Sequence, residues 1–185
     1  MRLFVGIELD EQAGRALDQV QERLAAAGGG LRWSRPGDRH VTLQFLGKAD
    51  VGQFTCLQAH LAEVREQPCP VRLSGLGFFV RAGVFWAGVE RTPGLLELRH
   101  KIMAATRICG FTPEMRPYHP HITLARQRGR GFSVELRKLQ QGVASGDFQM
   151  ETEFLASEFL LYDSMPGAIG SRYEVRARLA LRRSF

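Results

Sequence analysis

Apolar residues follow two different periods along this chain, one typical of strands and one typical of helices. Segments in which apolar and polar positions alternate predict strands, and segments with an apolar residue at every third or fourth position predict helices. Strands are predicted over residues 2–8, 40–47, 71–79, 84–89, 118–126, 148–162 and 171–181. Helices are predicted over residues 10–27, 92–109 and 133–141, and a further helix is predicted to begin at Asp50.

The order strand, helix, strand occurs twice, and the two copies share their spacing. As many residues separate Leu3 from Val84 as separate His40 from His121. The apolar stripe of each helix has the same intervals, at Leu17, Val20, Leu24 and Ala27 in one copy and at Leu95, Leu98, Ile102 and Ala105 in the other. Such a duplicated unit predicts two similar lobes, related by a rough two-fold axis, that face one another across a central groove.

The last strand of each unit contains the sequence His-x-Thr-Leu, first at His40 and again at His121. Successive side chains of a strand point to opposite faces, so each histidine shares a face with the threonine two residues later, Thr42 or Thr123. The residues between them are apolar and should point into a core. Each strand is therefore expected to line the groove with an imidazole and a hydroxyl.

The same alternation assigns four neighbouring residues. Gln44 and His119 have the parity of the groove-facing histidines, so both are expected on that face. Phe45 has core parity and would reach the rim only if the strand twists. Arg126 also has core parity, and would reach the groove only if its strand bends or ends there. Residues 126–131, which are rich in arginine and glycine, predict a mobile basic loop.

Composition limits the classes of protein that this sequence can form. Apolar residues make up 44% of the chain and charged residues 24%, as in soluble globular proteins. No apolar run approaches the roughly 18 residues of a membrane span, and Met1 leads into a strand without a signal-peptide pattern, so a cytoplasmic protein is expected. The length of 185 residues predicts one domain over residues 1–185, and a monomer suffices for a groove within one chain.

The net charge of +6 favours an anionic partner. All but three of the 25 basic residues are arginines, whose planar guanidinium suits bidentate contacts with phosphate. A compositional bias towards arginine, alanine and glycine explains the same excess. The charge is therefore consistent with a phosphate-bearing partner without requiring one.

The three cysteines, Cys56, Cys69 and Cys109, are far apart in the sequence. An odd, unclustered set in apolar or helical surroundings is typical of buried thiols in a reducing compartment. The sequence therefore predicts neither a disulfide nor a zinc site.

Two imidazoles on opposite sides of a groove can act as a general base and a general acid, because an unperturbed imidazole titrates near pH 6.5. This arrangement suits in-line displacement at phosphorus: one histidine takes a proton from water and the other protonates the leaving oxygen. Thr42 and Thr123 would donate hydrogen bonds to the non-bridging oxygens. The chemistry requires no metal and no covalent intermediate.

The same residues carry a resemblance to a known family. Residues 40–47, which contain His-Val-Thr-Leu and Phe-Leu-Gly, and residues 117–126, Pro-Tyr-His-Pro-His-Ile-Thr-Leu-Ala-Arg, are similar to the paired motifs of the two-histidine phosphoesterase superfamily. The chain resembles most closely the bacterial and archaeal RNA 2′,3′-cyclic phosphodiesterases, also called 2′-5′ RNA ligases. The resemblance extends from the Phe-Val-Gly-Ile start to the closing Ser-Arg-Tyr-Glu-Val strand.

The resemblance implies a bilobal α+β fold, with two antiparallel sheets lining a central cleft and helices packed outside. It implies hydrolysis of a 2′,3′-cyclic phosphate, on an RNA end or on a nucleoside, to a 2′-phosphate without metal or cofactor. By position in the motifs, His40 would be the proton donor and His121 the proton acceptor. Arg126 would assist Thr42 and Thr123 at the phosphate, and His119 and Phe45 are possible substrate contacts.

Three other functions fit parts of the sequence. The same site run backwards would join a cyclic phosphate to a 5′ hydroxyl, making a 2′-5′ linkage. His40, His119 and His121 could instead bind a metal, although neither motif supplies a carboxylate or a cysteine. A basic RNA-binding module without catalysis is the third possibility, but it does not explain why the histidines and threonines recur together.

Overall fold

The computed structural model contains the predicted elements in the predicted order. It describes residues 1–114, 116–127, 134–146, 148, 150, 152–167 and 170–182. The helices in these ranges are α1 (Glu11–Leu24), α2 (Val51–Ala62), α3 (Pro93–Ile108) and α4 (Val134–Ser145). The strands are β1 (Arg2–Glu8), β2 (Arg32–Trp33), β3 (His40–Lys48), β4 (Cys69–Phe79), β5 (Val84–Val89), β6 (His121–Arg126), β7 (Glu153–Ala156), β8 (Glu158–Gly167) and β9 (Gly170–Ala180).

The described strands form two antiparallel sheets, in agreement with the predicted α+β class. One sheet has the order β3-β1-β8-β9 and the other β2-β6-β5-β4-β7. In both sheets the first and last strands of the repeated unit are neighbours, β1 beside β3 and β5 beside β6. The connecting helix is α1 in one unit and α3 in the other. The duplication inferred from the spacing of the histidines is therefore confirmed.

Local sequence signals determine where the helices begin. Asp10 caps α1 by accepting a hydrogen bond from the backbone N–H of Ala13 at 2.8 Å. Asp50 and Gln53 form a reciprocal capping box at the start of α2, and Thr92 caps α3. These side chains provide acceptors for the N–H groups that have no partner within the first helical turn.

The largest apolar cluster of the described residues joins the helices to both sheets. Leu17 of α1, Leu61 of α2, Leu98 of α3 and Leu136 of α4 are buried in it. Because one core supports both repeated units, it fixes the strands that carry the two His-x-Thr motifs relative to each other.

The strand predicted over residues 148–162 is interrupted at Ser157. β7 pairs with β4, whereas β8 pairs with β1, so the chain passes from one sheet to the other at this residue. Both parts bury apolar side chains, and the sequence therefore gives no sign of the change of partner. Residues 149 and 151 of the predicted strand, residues 128–131 of the predicted basic loop and Ser133 of the predicted last helix lie outside the described residues.

The prediction of three reduced cysteines is wrong for two of them. Cys56 of α2 and Cys109, just after α3, form a disulfide with Cα atoms 5.7 Å apart. The two residues are 53 positions apart in sequence, and they meet because α2 packs beside α3. Cys69 is a buried thiol, as predicted, and burial raises its pKa to about 11.

None of the helices in the described part of the chain combines the length and the apolarity needed to cross a lipid bilayer.

Candidate active site

The two His-x-Thr motifs line one cleft between the repeated units. The cleft has a volume of about 800 Å³, and its walls include His40 and Thr42 of β3 and His121 and Thr123 of β6. All four side chains are partly exposed, while the residues between them in the strands are buried. The alternation read from the sequence therefore holds over the first four residues of each motif.

His40 lies in an aromatic pocket at one side of the cleft. Its ring is 4.6 Å from that of Phe4 and meets the ring of Tyr173 edge-on at 5.0 Å, measured between centroids. Nδ1 is 2.9 Å from the backbone carbonyl oxygen of Asp38. Burial lowers the pKa of His40 to about 4, and the hydrogen bond to Asp38 opposes this effect only in part. Repulsion from His121 and Arg126 contributes to this lowered pKa.

His121 has a similar environment on the other side. Its Nδ1 is 2.8 Å from the backbone carbonyl oxygen of His119, and its ring meets the ring of Phe79 edge-on at 4.9 Å. Burial lowers the pKa of His121, the hydrogen bond to the His119 carbonyl opposes this effect, and repulsion from Arg126 adds to it. At neutral pH both rings are therefore mainly neutral in the unliganded protein.

The two Nδ1 contacts determine the tautomer of each ring. A carbonyl oxygen can only accept a hydrogen bond, so Nδ1 must carry the proton in both histidines. In the neutral rings Nε2 is then the basic nitrogen. The site thus offers two imidazoles with the same tautomer, each able to take up or release a proton through Nε2.

A β-bulge follows the threonine in each motif. In the pairing of β1 with β3, Val5 is opposite Gln44 and Gly6 is opposite Thr42, so Leu43 has no partner. In the pairing of β5 with β6, Leu124 is passed over in the same way. An extra residue in one strand reverses the facing of the side chains that follow.

The first bulge overturns the prediction for Gln44 and decides that for Phe45. Gln44 is buried, with its Oε1 accepting a hydrogen bond from the Thr106 hydroxyl at 2.9 Å, so it does not share the face of His40. Phe45 is 61% exposed and lines the cleft. The sequence had allowed this position only if the strand twists, and the bulge provides the required change.

The second bulge turns Arg126 into the cleft. Ala125 is buried and Arg126 is exposed, the reverse of a regular strand. The Arg126 guanidinium donates to the Thr123 hydroxyl at 3.4 Å and lies among the cleft-lining residues. Arg126 therefore reaches the position at which it could assist Thr123, as the bent-strand alternative required.

The backbone carbonyl of each bulged leucine accepts a hydrogen bond from a residue outside the strand pair that contains the bulge. Arg99 Nε of α3 donates to the Leu43 carbonyl at 3.1 Å, and Ser34 N donates to the Leu124 carbonyl at 2.8 Å. The Tyr118 hydroxyl also donates to the Thr42 carbonyl at 2.9 Å. Each motif is thus supported by the segments around the other motif.

His119 contributes its backbone carbonyl to the site. Its side chain is exposed and packs edge-on against Trp86 at 4.8 Å and Phe79 at 5.4 Å, measured between ring centroids. The imidazole of His119 is therefore part of the aromatic wall behind His121, and a direct contact with substrate stays a prediction.

The cleft contains basic residues that the sequence analysis did not assign to it. Besides Arg126, the described lining includes Arg2, Arg32, Arg35 and Arg172, and its acidic member is Asp38. These arginines come from three separate regions of the chain, so no local motif identifies them. The excess of positive charge favours an anionic ligand such as a phosphate.

A cluster of side chains of the kinds that bind metal ions lies outside the cleft. Among the described residues, Cys56, His60 and Cys109 have ligand atoms within 4.8 Å of one another. The two sulfur atoms are joined in the disulfide, so they cannot act as thiolate ligands in this state. In the cleft, His40 and His121 each use Nδ1 for a backbone carbonyl and have Nε2 available.

The sequence is similar to known phosphoesterases. A family model described as LigT like Phosphoesterase matches residues 7–86 and 89–173. The RNA 2′,3′-cyclic phosphodiesterase of Thermotoga maritima is 30% identical over 180 residues, which cover 95% of this chain and 92% of the relative. A protein of the same name from Geobacillus stearothermophilus is 32% identical over 129 residues, covering 67% of this chain but 41% of that relative.

Solved structures share the fold. The crystal structure of Escherichia coli LigT in apo form superposes with a TM-score of 0.78 at 24% identity, and the match covers 98% of both chains. The same E. coli protein complexed with 3′-AMP gives a TM-score of 0.77 at 24% identity over 97% of both chains. At this level of identity the similarity establishes the arrangement of the two sheets and the cleft.

Proposed function

Since this chain belongs to the LigT-like, two-histidine phosphoesterase family and is a phosphodiesterase, we propose that it hydrolyses a 2′,3′-cyclic phosphate at an RNA 3′ end to a 2′-phosphate. The observation that carries this proposal is the position of His40 and His121 in one cleft, each with Nδ1 bound to a backbone carbonyl. Two such groups supply both proton transfers of a hydrolysis.

In the proposed reaction His121 is the proton acceptor and His40 the proton donor. Nε2 of His121 takes a proton from water while the water oxygen forms a bond to phosphorus. The bond between phosphorus and O3′ breaks, and the protonated Nε2 of His40 gives its proton to O3′. The product carries a 2′-phosphate and a 3′ hydroxyl. Exchange of one proton from His121 and one to His40 with solvent restores the starting state.

This mechanism needs a protonated His40, although burial lowers its pKa to about 4 in the unliganded protein. The cyclic phosphodiester carries a negative charge, and an adjacent anion favours the imidazolium form. Substrate binding would therefore raise the pKa of His40, so that His40 is protonated and can act as the general acid when the substrate is bound.

The non-bridging oxygens of the phosphate would be bound by Thr42, Thr123 and Arg126. Both hydroxyls line the cleft, and the Arg126 guanidinium is already within hydrogen-bonding distance of Thr123. Negative charge increases on these oxygens in the transition state, and donors placed in advance stabilise it without reorganisation.

Three features support RNA as the substrate. The relatives from Thermotoga and Geobacillus are named RNA 2′,3′-cyclic phosphodiesterases. The arginines along the cleft also provide positive charge for phosphates beyond the reacting one. Phe45, whose ring is exposed at the rim of the cleft, would stack on a base of the bound end.

The test is product analysis in the presence of EDTA. The protein is incubated with adenosine 2′,3′-cyclic phosphate and with a short oligoribonucleotide that ends in the same group, and the 2′ and 3′ phosphates are separated by chromatography. The proposal predicts the 2′-phosphate from both substrates. The proposal would be overturned by a 3′-phosphate product, or by the absence of turnover with both substrates.

A further inference from the structure

Each of the two cleft histidines depends on the carbonyl two residues before it, but the residue between them differs. Asp38 holds His40 across Arg39, and His119 holds His121 across Pro120. The two intervening residues occupy the same position in the duplicated unit. They therefore represent two solutions to one requirement, which is to keep a carbonyl oxygen fixed against Nδ1.

On the His121 side the backbone itself provides the rigidity. The ring of Pro120 restricts φ to a narrow range, and the Pro120 carbonyl accepts a hydrogen bond from Val89 N at 3.1 Å. Pro120 is buried between these constraints. The peptide that carries the His119 carbonyl therefore has little freedom to rotate.

On the His40 side a side chain replaces the proline ring. The Arg39 side chain is 0% exposed and extends towards α1. Its Nη1 donates to Asp18 Oδ1 at 2.8 Å and to the Gly14 carbonyl at 3.4 Å, and its Nη2 donates to Gln21 Oε1 at 2.7 Å. The guanidinium thus forms hydrogen bonds to three successive turns of α1.

These contacts act on the short 3₁₀ turn at Pro36–Asp38, which carries the carbonyl in question. The backbone N–H of Arg39 donates to the Pro36 carbonyl at 3.2 Å and closes the turn. Fixing Arg39 to α1 therefore fixes the end of the turn, and with it the orientation of the Asp38 carbonyl.

The burial of a guanidinium at this point is costly for a purely structural contact. Apolar side chains would fill the space without desolvating a charge, and replacing a buried ion pair as a whole by apolar residues is often neutral or stabilising. The Asp18 carboxylate is 43% exposed, so the ion pair is solvated on its acidic side and recovers little of that cost. The contribution of Arg39 is instead geometric, because the hydrogen bonds of its planar guanidinium fork hold the backbone at this residue in one orientation.

We propose that Arg39 is a positioning residue that clamps the turn at Pro36–Asp38 to α1, so that the Asp38 carbonyl holds the Nδ1 proton of His40 and leaves Nε2 for proton transfer. Its catalytic consequence rests on the proposed function, whereas its effect on the tautomer of His40 does not.

The test compares Arg39→Met and Arg39→Lys with the wild type by long-range ¹H–¹⁵N NMR of the His40 ring at neutral pH. The wild type should show the single tautomer protonated at Nδ1. Arg39→Met should shift both nitrogen resonances towards a mixture of tautomers and lower kcat by about 3- to 30-fold with little change in KM. Arg39→Lys, which keeps the ion pair but loses the fork, should fall between them.

Two further variants keep the inference falsifiable. Gln21→Ala removes one arm of the fork and leaves the ion pair, so it should move the resonances in the same direction by a smaller amount even if Arg39→Met fails to fold. Arg15→Met breaks an exposed pair with Glu11 on the same helix and should change nothing. An unchanged Nδ1–H tautomer in Arg39→Met or, where that variant does not fold, in Gln21→Ala would overturn the inference. Absence of phosphodiesterase activity in the wild type would count against the proposed function and leave the NMR result decisive for Arg39.

Discussion

Leu43 and Leu124 are the bulged residues of their strands and occupy the same position in the two repeated units. Each bulge buries two consecutive side chains and turns the next one to the cleft, Phe45 in one unit and Arg126 in the other. The duplicated backbone therefore presents an aromatic ring on one side and a guanidinium on the other. The two halves of the cleft therefore differ in chemistry at this equivalent position.

Arg126 should contribute to transition-state binding through the phosphate. Arg126→Met keeps the aliphatic part of the side chain and removes the charge, so kcat/KM for a 2′,3′-cyclic nucleotide should fall by about 100-fold. Arg116→Met is the matched control, because Arg116 is 87% exposed and pairs with Glu114 outside the cleft. Equal activity of the two variants would show that Arg126 does not contact the reacting phosphate.

Thr42 and Thr123 should each donate one hydrogen bond to the phosphate. Replacement by valine keeps the branched shape that suits a strand and removes the hydroxyl, so each change should lower kcat/KM by about 5- to 100-fold. Thr55→Val on the exposed face of α2 is the control for a general effect of the substitution. Wild-type kinetics in both cleft variants would exclude these hydroxyls as phosphate ligands.

The pH dependence of kcat/KM should reflect the lowered pKa values of the unliganded cleft. Burial lowers the pKa of His40 from 6.5 to about 4, and also lowers that of His121. The reactive form of the pair carries one proton, so kcat/KM should be highest between the two pKa values. Above both values the pair loses that proton, and kcat/KM should fall by about tenfold per pH unit. A rise in kcat/KM from pH 6.5 upwards would contradict the lowered pKa values.

The disulfide should stabilise the folded chain. Cys56 and Cys109 close a loop between residues 53 apart, and removing such a cross-link lowers the free energy of unfolding by about 4 kcal/mol if chain entropy dominates. Denaturant unfolding with and without a dithiol reductant measures the difference. Titration of thiols in the unfolded, unreduced protein should find Cys69 alone. Three titratable thiols, or unfolding that is indifferent to the reductant, would show that Cys56 and Cys109 are not joined.

The sequence was sufficient for most of the elements and for placing the two histidines and two threonines of the motifs in one cleft, because both depend on local patterns. The spacing of His40 and His121, together with the matching apolar stripes, identified the duplication and the opposed motifs. Period-two alternation then failed at Gln44, since nothing in an ordinary leucine such as Leu43 marks a bulge. For the same reason Arg126 could be assigned to the cleft only conditionally.

The features that the sequence did not reveal depend on contacts between distant segments. The pairing of Cys56 with Cys109 follows from the packing of α2 on α3. The change of sheet at Ser157 follows from the pairing of β7 and β8 with different strands. Tyr173 and the arginines of the cleft rim come together through the tertiary fold. Local periodicity carries no information on such contacts.

His40 and His121 should carry the two proton transfers of hydrolysis. The most direct test is the turnover of a nucleoside 2′,3′-cyclic phosphate in EDTA by the wild type, His40→Ala, His121→Ala and the control His100→Ala, which alters an exposed histidine of α3. Each cleft variant should lose at least about 100-fold in kcat, and the control should retain wild-type activity. Activity that persists in both cleft variants, or that EDTA abolishes in the wild type, would contradict the two-histidine mechanism.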